Sequence, residues 1–317
     1  MLVSVIIATY CGEKFLEEQL QSLLQQSYKP DEVIISDDGS GDNTIDIAKN
    51  FIQKNNLENK WHIYINKKNK GYAKNFLEAA LKAKGKFILF CDQDDLWEED
   101  KIEITIKEMK KNQDIKVLAS NLKPFTFEEN TRKWDKKSLE SMAINDGSIK
   151  RILFNEENFH LKRSGCTMCI TKEFLHSIMP YWIEKWAHDD FVWKLSLANN
   201  GLGILQKITV NRRMHENNAT VVRQRSQEWR INQLNDLKDQ EKSYLKYIKE
   251  NEISNKMEKI EIIEKNINSL DLRIDLINKK KIWNWIILFS NYKKCYPRIK
   301  GLYLDLFLTF RKVYKGV

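Results

Sequence analysis

Long apolar runs are missing from this 317-residue chain. No stretch of about 18 consecutive apolar residues occurs, which excludes a conventional membrane-spanning helix. Glycine-rich phosphate loops are missing too: neither GxGxxG nor GxxxxGKS/T is present. A bound phosphate would need its charge met by something other than a backbone cradle. Cysteine is scarce, at five residues: Cys11, Cys91, Cys166, Cys169 and Cys295. An odd count without a secretory leader points to a reducing compartment. Cys166 and Cys169 form a CxxC, but no second CxxC supplies the remaining ligands of a closed zinc site. The pair is either a redox couple or two small buried residues. The opening "MLVSVIIATY" lacks a basic leader and a small-residue cleavage site, so it reads as a buried strand rather than a signal peptide.

What is present is ordinary for a globular protein: 42% hydrophobic and 31% charged residues, so disorder is not the default. The formal charge of +9 suits an anionic partner, whether nucleic acid, a membrane surface or a phosphorylated ligand. No helix-turn-helix, zinc or RNP pattern accompanies it, and most of the charge lies in the tail, which argues against nucleic acid.

The first 121 residues alternate between β-branched apolar runs and amphipathic stretches. "LVSVIIA" (2–8), "EVIIS" (32–36), "WHIYIN" (61–66) and "KFILFC" (86–91) read as strands. Residues 13–26 place Phe15, Leu16, Leu20, Leu23 and Leu24 on one helical face; 41–55 and 73–84 are further helices, with Gly85 expected as a C′ residue. Strand–helix alternation with short connections gives an α/β fold with a mainly parallel central sheet.

Ligands of such sheets bind beyond the carboxyl ends of the strands. Thr9 and Tyr10 follow the first strand, Asp37, Asp38, Gly39 and Ser40 the second, and Asp92, Asp94 and Asp95 the fourth. Three polar clusters remote in sequence therefore converge on one edge. Carboxylates two apart on an extended segment can reach one hard cation, and Mg²⁺ or Mn²⁺ held that way bridges to substrate phosphates. The "ILFCDQDDLW" stretch is then a metal site, or else a solvated acidic turn; Asp37–Ser40 alone would serve as a helix cap.

The motifs "VSVIIATY", "ISDDGSGDNT", "NKGYAKNF" and "FCDQDDLWEEDKI", in that order, resemble those of family 2 glycosyltransferases with the GT-A fold, over roughly residues 1–220. With "HDDFVW" (188–193) and "RRMHENN" (212–218), the chain is most similar to bacterial rhamnosyltransferase-like members that build surface polysaccharides. The resemblance implies a metal-dependent inverting transferase. Its donor would be a nucleotide-diphosphate sugar, dTDP-rhamnose first and a UDP-hexose second, and its acceptor a glycan or lipid-linked sugar at the cytoplasmic face of the membrane. It assigns Thr9, Tyr10, Asp37, Asp38, Lys70, Gly71, Asn75 and Asp92 to the nucleotide. Asp94 becomes a metal ligand with Asp92 and His215, the ion being Mn²⁺ or Mg²⁺, while Asp95 caps the helix starting near Glu98. It also makes Gly165 and Cys166 part of the acceptor side, with His188 before the base; Trp97 would stack on the acceptor sugar or else lie in the core.

Inverting transfer needs a base opposite the diphosphate. "KWAHDDFVWKLSLANNG" (185–201) reads as a helix start, and by resemblance Asp189 is the base, with Asp190 as runner-up. The other reading of the pair is two acids favouring a helix N-terminus. Nucleotidyl transfer onto sugar phosphates is the alternative chemistry, but "ATYCGEKF" does not match the glycine-rich basic loop of that class.

The expected division is a catalytic domain over 1–221, with a nucleotide half (1–121) and an acceptor half (122–221), and a helical region over 222–317. There Ile253, Met257, Ile260, Ile263, Ile267, Leu270, Ile274 and Ile277 form a heptad-like stripe, suited to packing on the catalytic domain, a homodimer or another partner protein. Residues 281–317 carry eight Lys or Arg against one acid, Asp305, interleaved with aromatics. That pattern suits an anionic membrane surface or a helix covering its own core.

Overall fold

The computed structural model describes residues 2–125, 136–215 and 226–311. Two compact units divide the chain. One comprises Met1–Ile152, Lys162–Pro180 and Ala187–Asn218; the other comprises Leu153–Leu161, Tyr181–Trp186 and Ala219–Val317. The sequence boundary near 222 falls outside the described residues. The two short excursions that join the second unit lack any compositional break to mark them.

The first unit runs β1 (Val3–Thr9), α1 (Leu16–Leu24), β2 (Glu32–Asp37), α2 (Thr44–Lys54), β3 (Trp61–Ile65), α3 (Tyr72–Lys82) and β4 (Phe87–Asp92). It continues through β5 (Leu96–Trp97), α4 (Lys101–Lys111), β6 (Val117–Phe125), α5 (Lys136–Met142), β7 (Ile149–Ile152), β8 (Met168–Thr171), α6 (Lys172–Ile178), α7 (His188–Ala198) and β9 (Leu202–Arg213). The strands form one sheet in the order β3-β2-β1-β4-β8-β6-β9-β5, with β7 also on β9. β1 to β4 pair in parallel, as the alternation requires. Beyond β4 the sheet is mixed: β8 runs antiparallel to both β4 and β6, while β6 and β9 are parallel. The expectation of a mainly parallel sheet thus holds for its first half only.

Val3, Val5, Ile7, Leu16, Leu20 and Leu23 are fully buried in one cluster between strand and helix. Each such side chain contributes about 1.5–3 kcal/mol relative to exposure. Gly85 is not a left-handed C′ residue. A Cβ there would lie 2.6 Å from the backbone nitrogen of Ser4, so close approach to β1 explains the glycine.

The second unit is built on α8 (Gln227–Glu250), α9 (Lys256–Lys279), α10 (Trp283–Asn291) and α11 (Lys300–Phe310). The Ser226 hydroxyl accepts the Trp229 N–H and caps α8. The turn at 251–255 closes the expected helical hairpin. Ile263, Leu270 and Ile277, spaced by sevens, are buried, whereas Met257 is 76% exposed. Leu270 and Ile277 pack with Leu234 of α8, so that part of the heptad stripe is satisfied within the unit. Among the described residues no helix is long and apolar enough to cross a membrane.

Candidate active site

Register brings the strand ends level. Thr9 pairs with Asp37 across β1 and β2, and Ala8 pairs with Asp92 across β1 and β4. The clusters after the three strands therefore share one edge. Asp37, 1% exposed, accepts from the Thr9 hydroxyl (2.8 Å), from the Ser40 hydroxyl and from the amides of Gly39 and Ser40. It braces the turn. Asp38 accepts the amides of Lys70 and Gly71 and the side-chain amide of Asn66. Asn75 is buried between Ser36 and Asn66. Thr9, Asp37, Asp38 and Asn75 are thus a hydrogen-bonded frame. Tyr10, 52% exposed, and Gly71, with φ +81°, reach the surface; the Lys70 ammonium is held by Glu78 at 2.6 Å.

Sequence reasoning passed over two residues of this frame. Gln93, the middle residue of the acidic turn, accepts the Tyr10 amide and donates to the Tyr10 carbonyl, joining the loops after β1 and β4. Asn66 ties Asp38 to Asn75. Nothing short of the strand register would have paired them.

The acidic turn is held against the end of β9 by the β5–β9 pairing. Asp94 Oδ2 lies 2.7 Å from His215 Nε2. Arg213 donates from Nε to the Asp94 carbonyl and from Nη2 to Glu18. Asp95 is not a helix cap: it is 1% exposed and accepts the Arg213 amide at 3.0 Å, while α4 begins after Asp100. Burial and the Asp94 charge raise the Asp92 carboxyl to about 6, against the pull of Arg212. Burial, then Asp92 and Asp94, pushes the Asp95 carboxyl up as well. Ligand atoms of Asp92, Asp95 and Cys166 lie within 4.8 Å of one another. Crowded carboxylates that resist ionisation, with an imidazole beside them, are a donor set that fits Mg²⁺ or Mn²⁺.

Cys166 is fully buried, and burial followed by Asp95 and Asp92 keeps its thiol protonated. It lies beside the carboxylates of Asp92 and Asp95. Cys169 is also buried and pushed up to about 12 by burial, and all five thiols are free. That favours two small buried residues over a redox couple. Trp97 is 4% exposed with the Lys101 ammonium 4.7 Å from its ring centroid. A buried indole offers no face to a sugar, so the stacking role expected of it is withdrawn.

Ten of the eleven residues of α7 are buried; Asp189 is the exception. Asp190 is ion-paired with Lys162 at 2.6 Å and Lys194 at 3.9 Å. His188, 4% exposed, is corrected from an acceptor contact to a wall residue. It stacks on Phe76 at 4.2 Å and meets Phe90 edge-on at 5.2 Å. Neither ring nitrogen has a hydrogen-bond partner, and burial lowers its pKa against the pull of Asp189, which keeps it neutral. A Cβ on Gly165 would sit 2.5 Å from His188 Nε2 and 3.2 Å from Asp189 Cβ. Tyr72 is a further residue the sequence did not flag. Its ring is half exposed and edges His188. Partial burial and then the charges of Asp189, Asp190 and Asp92 raise its hydroxyl pKa. It stands in the field of both groups of carboxylates.

An α/β sheet of this topology, with acids at the β4 end and a helix N-terminus across from them, is a GT-A fold. Residues 4–179 match the family model for glycosyl transferase family 2, and the chain belongs to that family. It is 34% identical over 111 residues, 35% of its length, to the UDP-Glc:alpha-D-GlcNAc-diphosphoundecaprenol beta-1,3-glucosyltransferase WfgD of Escherichia coli, covering 42% of that protein. The match spans about two fifths of the length of this and several other curated relatives. Among solved structures, S. aureus TarS 1-349 in complex with UDP-GlcNAc superposes with a TM-score of 0.63 at 19% identity, over 95% of this chain and 84% of that one. The mannosyltransferase PcManGT from Pyrobaculum calidifontis, in complex with GDP-Man and Mn²⁺, gives 0.53 at 17% identity, over 96% and 86%. At these identities the likeness speaks for the fold.

Proposed function

We propose that this chain is a metal-assisted inverting glycosyltransferase. It takes a sugar from a nucleotide-diphosphate donor and passes it to a hydroxyl of a glycan or lipid-linked acceptor during synthesis of a bacterial surface polysaccharide. One observation carries the reading: Asp189 alone of α7 is left unburied, at a helix N-terminus within electrostatic reach of Asp92.

In such a transfer the acceptor oxygen bonds to the anomeric carbon as the bond from that carbon to the diphosphate breaks. The electron pair leaves with the diphosphate, and the hydroxyl proton goes to the base. Asp189 takes that proton; Asp190, already neutralised by two lysines, holds the helix end. Asp94, Asp92 and His215 would hold Mn²⁺ or Mg²⁺, which supplies charge stabilisation for the departing diphosphate. Arg212 adds fixed positive charge toward the same carboxylates. The frame of Thr9, Asp37, Asp38 and Asn75 would hold the Tyr10 and Lys70–Gly71 loops about the nucleotide, and Gly165 would leave room for the acceptor beside Asp189.

A UDP-hexose is the donor we favour, supported by the UDP sugars in the names of WfgD and the TarS complex. The "DQDDLW" and "HDDFVW" motifs support dTDP-rhamnose as the second reading. The test is a thermal-shift panel of UDP, dTDP and GDP sugars with and without Mn²⁺. Pyrimidine donors should stabilise the chain, and only with the ion; a metal-independent shift would overturn the metal assignment. Asp189→Asn should keep that shift while release of nucleoside diphosphate falls about a hundredfold or more. Turnover at the normal rate would move the base elsewhere.

A further inference from the structure

We propose that the outward faces of α10 and α11 form one docking surface for an anionic lipid bilayer. Half of the large apolar side chains exposed among the described residues lie between 282 and 310. In α10 only Leu288 is buried, while Trp283 is 78%, Ile286 48% and Phe289 40% exposed. Ile299 at the N-cap of α11 and Tyr303, Phe307 and Phe310 within it follow helical spacing down one side, each at least 39% exposed. The other side of α11, Leu302, Asp305 and Leu308, is buried. Trp285 joins the two stripes: its ring stacks on Phe289 at 5.5 Å and lies 6.2 Å from Tyr303. The apolar surface is therefore continuous across both helices, whereas an ordinary surface helix turns its apolar stripe inward.

Charge selects the occupant. From Lys279 to Arg311 the sequence has one carboxylate, Asp305, which is 0% exposed and bonded to Arg230 and Arg273. Lys280, Lys293, Lys294, Arg298, Lys300 and Arg311 are exposed; Lys294 is paired with Glu156, and the Lys293 ammonium lies 5.0 Å from the Phe289 ring centroid. A second copy of this chain would bring the same positive charge to the same face. An anionic bilayer meets both features, taking the aromatic side chains at headgroup depth and pairing its phosphates with the basic residues. The proposed transfer to a lipid-linked acceptor gives the surface its use, but the geometry stands without that reading.

Flotation of the full chain with phosphatidylcholine vesicles, and with vesicles of phosphatidylcholine and phosphatidylglycerol at about 7:3, tests the surface. Binding should be at least about tenfold stronger to the anionic vesicles and weaken with salt. The exposed pair Trp283→Ser with Phe307→Ser should lower it about tenfold or more, and Lys293→Gln with Lys300→Gln should remove the preference for the anionic lipid. The donor-induced thermal shift checks that the variants remain folded. Full binding by the serine pair, or no binding by the wild type, overturns the proposal. So does a dimer, seen by light scattering, that the serine pair abolishes while vesicle binding is absent. An intact donor response without vesicle binding sinks this surface alone; vesicle binding without any donor response sinks the catalytic reading alone.

Discussion

Asp189 and Asp190 are neighbours on one helical turn, yet their surroundings differ. Asp190 is 7% exposed and pinned by Lys162 and Lys194. Asp189 is left open, and its Oδ1 accepts the amide of Asp190 at 2.8 Å, which fixes its orientation. What sets its position is Gly165. A methyl group there would press on His188 Nε2 at 2.5 Å, and His188 cannot yield because Phe76 and Phe90 hold its ring. Gly165→Ala must therefore shift the start of α7. We expect a stability loss of about 1–3 kcal/mol from overpacking. On the proposed role of Asp189 as base, nucleoside diphosphate release should fall about tenfold or more, because a small misplacement of a base is costly. Donor affinity by calorimetry should stay within about twofold. Unchanged turnover alongside lowered stability would show that Asp189 tolerates displacement.

At the scale of elements, the alternation through β4 was legible because buried parallel strands and amphipathic helices write different periods into the sequence. The level ends of β1, β2 and β4 followed from that topology, and with them the convergence of Thr9, Asp37 and Asp92. The strand pairing in the second half of the sheet was not legible. β5 is two residues long, β6 and β9 pair with register shifts near Asn121, and β8 joins strands distant in sequence. Such pairings are fixed by tertiary packing, which no local window records. Lys101 illustrates the cost of reading locally. In "WEEDKI" it looks like a surface charge opening a helix. The β5–β9 pairing instead encloses it: it is 0% exposed, over the Trp97 ring, with its ammonium donating to the Thr209 hydroxyl at 3.2 Å. Burial lowers its pKa from 10.5 to about 8. The unfolded chain stays protonated up to about 10.4, so between those values the unfolded state binds more protons than the folded one. Stability must then rise with pH across that window, as the buried charge is relieved. Urea unfolding at pH 7 and pH 10 should show wild type gaining about 2–3 kcal/mol relative to Lys101→Met. An equal pH response in both proteins would mean that Lys101 stays charged or hydrated.

At the scale of the whole molecule, one apolar cluster lies around β1 to β4 and their helices, and two others lie among α8 to α11. In the second unit one fully buried carboxylate joins several elements. Asp305 accepts from Arg230 Nε and Arg273 Nε, both at 2.7 Å, and from the Tyr296 hydroxyl at 3.2 Å. Those donors lie on α8, on α9 and in the turn before α11, so one side chain ties together elements more than seventy residues apart. The Arg273 guanidinium also sits 4.2 Å from the Tyr296 ring centroid, and burial raises the Tyr296 hydroxyl well above its usual range. Removing the carboxylate strands two buried cations, a loss of about 3–5 kcal/mol. Replacing the ion network with an apolar set of equal volume would cost far less, because no charge would then be left unpaired. Asp305→Ala should therefore unfold the second unit at lower temperature, while the first unit keeps its response to a nucleotide diphosphate with Mn²⁺. Scanning calorimetry can separate the two: the variant lowers one transition, and the nucleotide raises the other. If one transition answers to both changes, the units unfold together and the Asp305 network supports the catalytic sheet as well as its own helices.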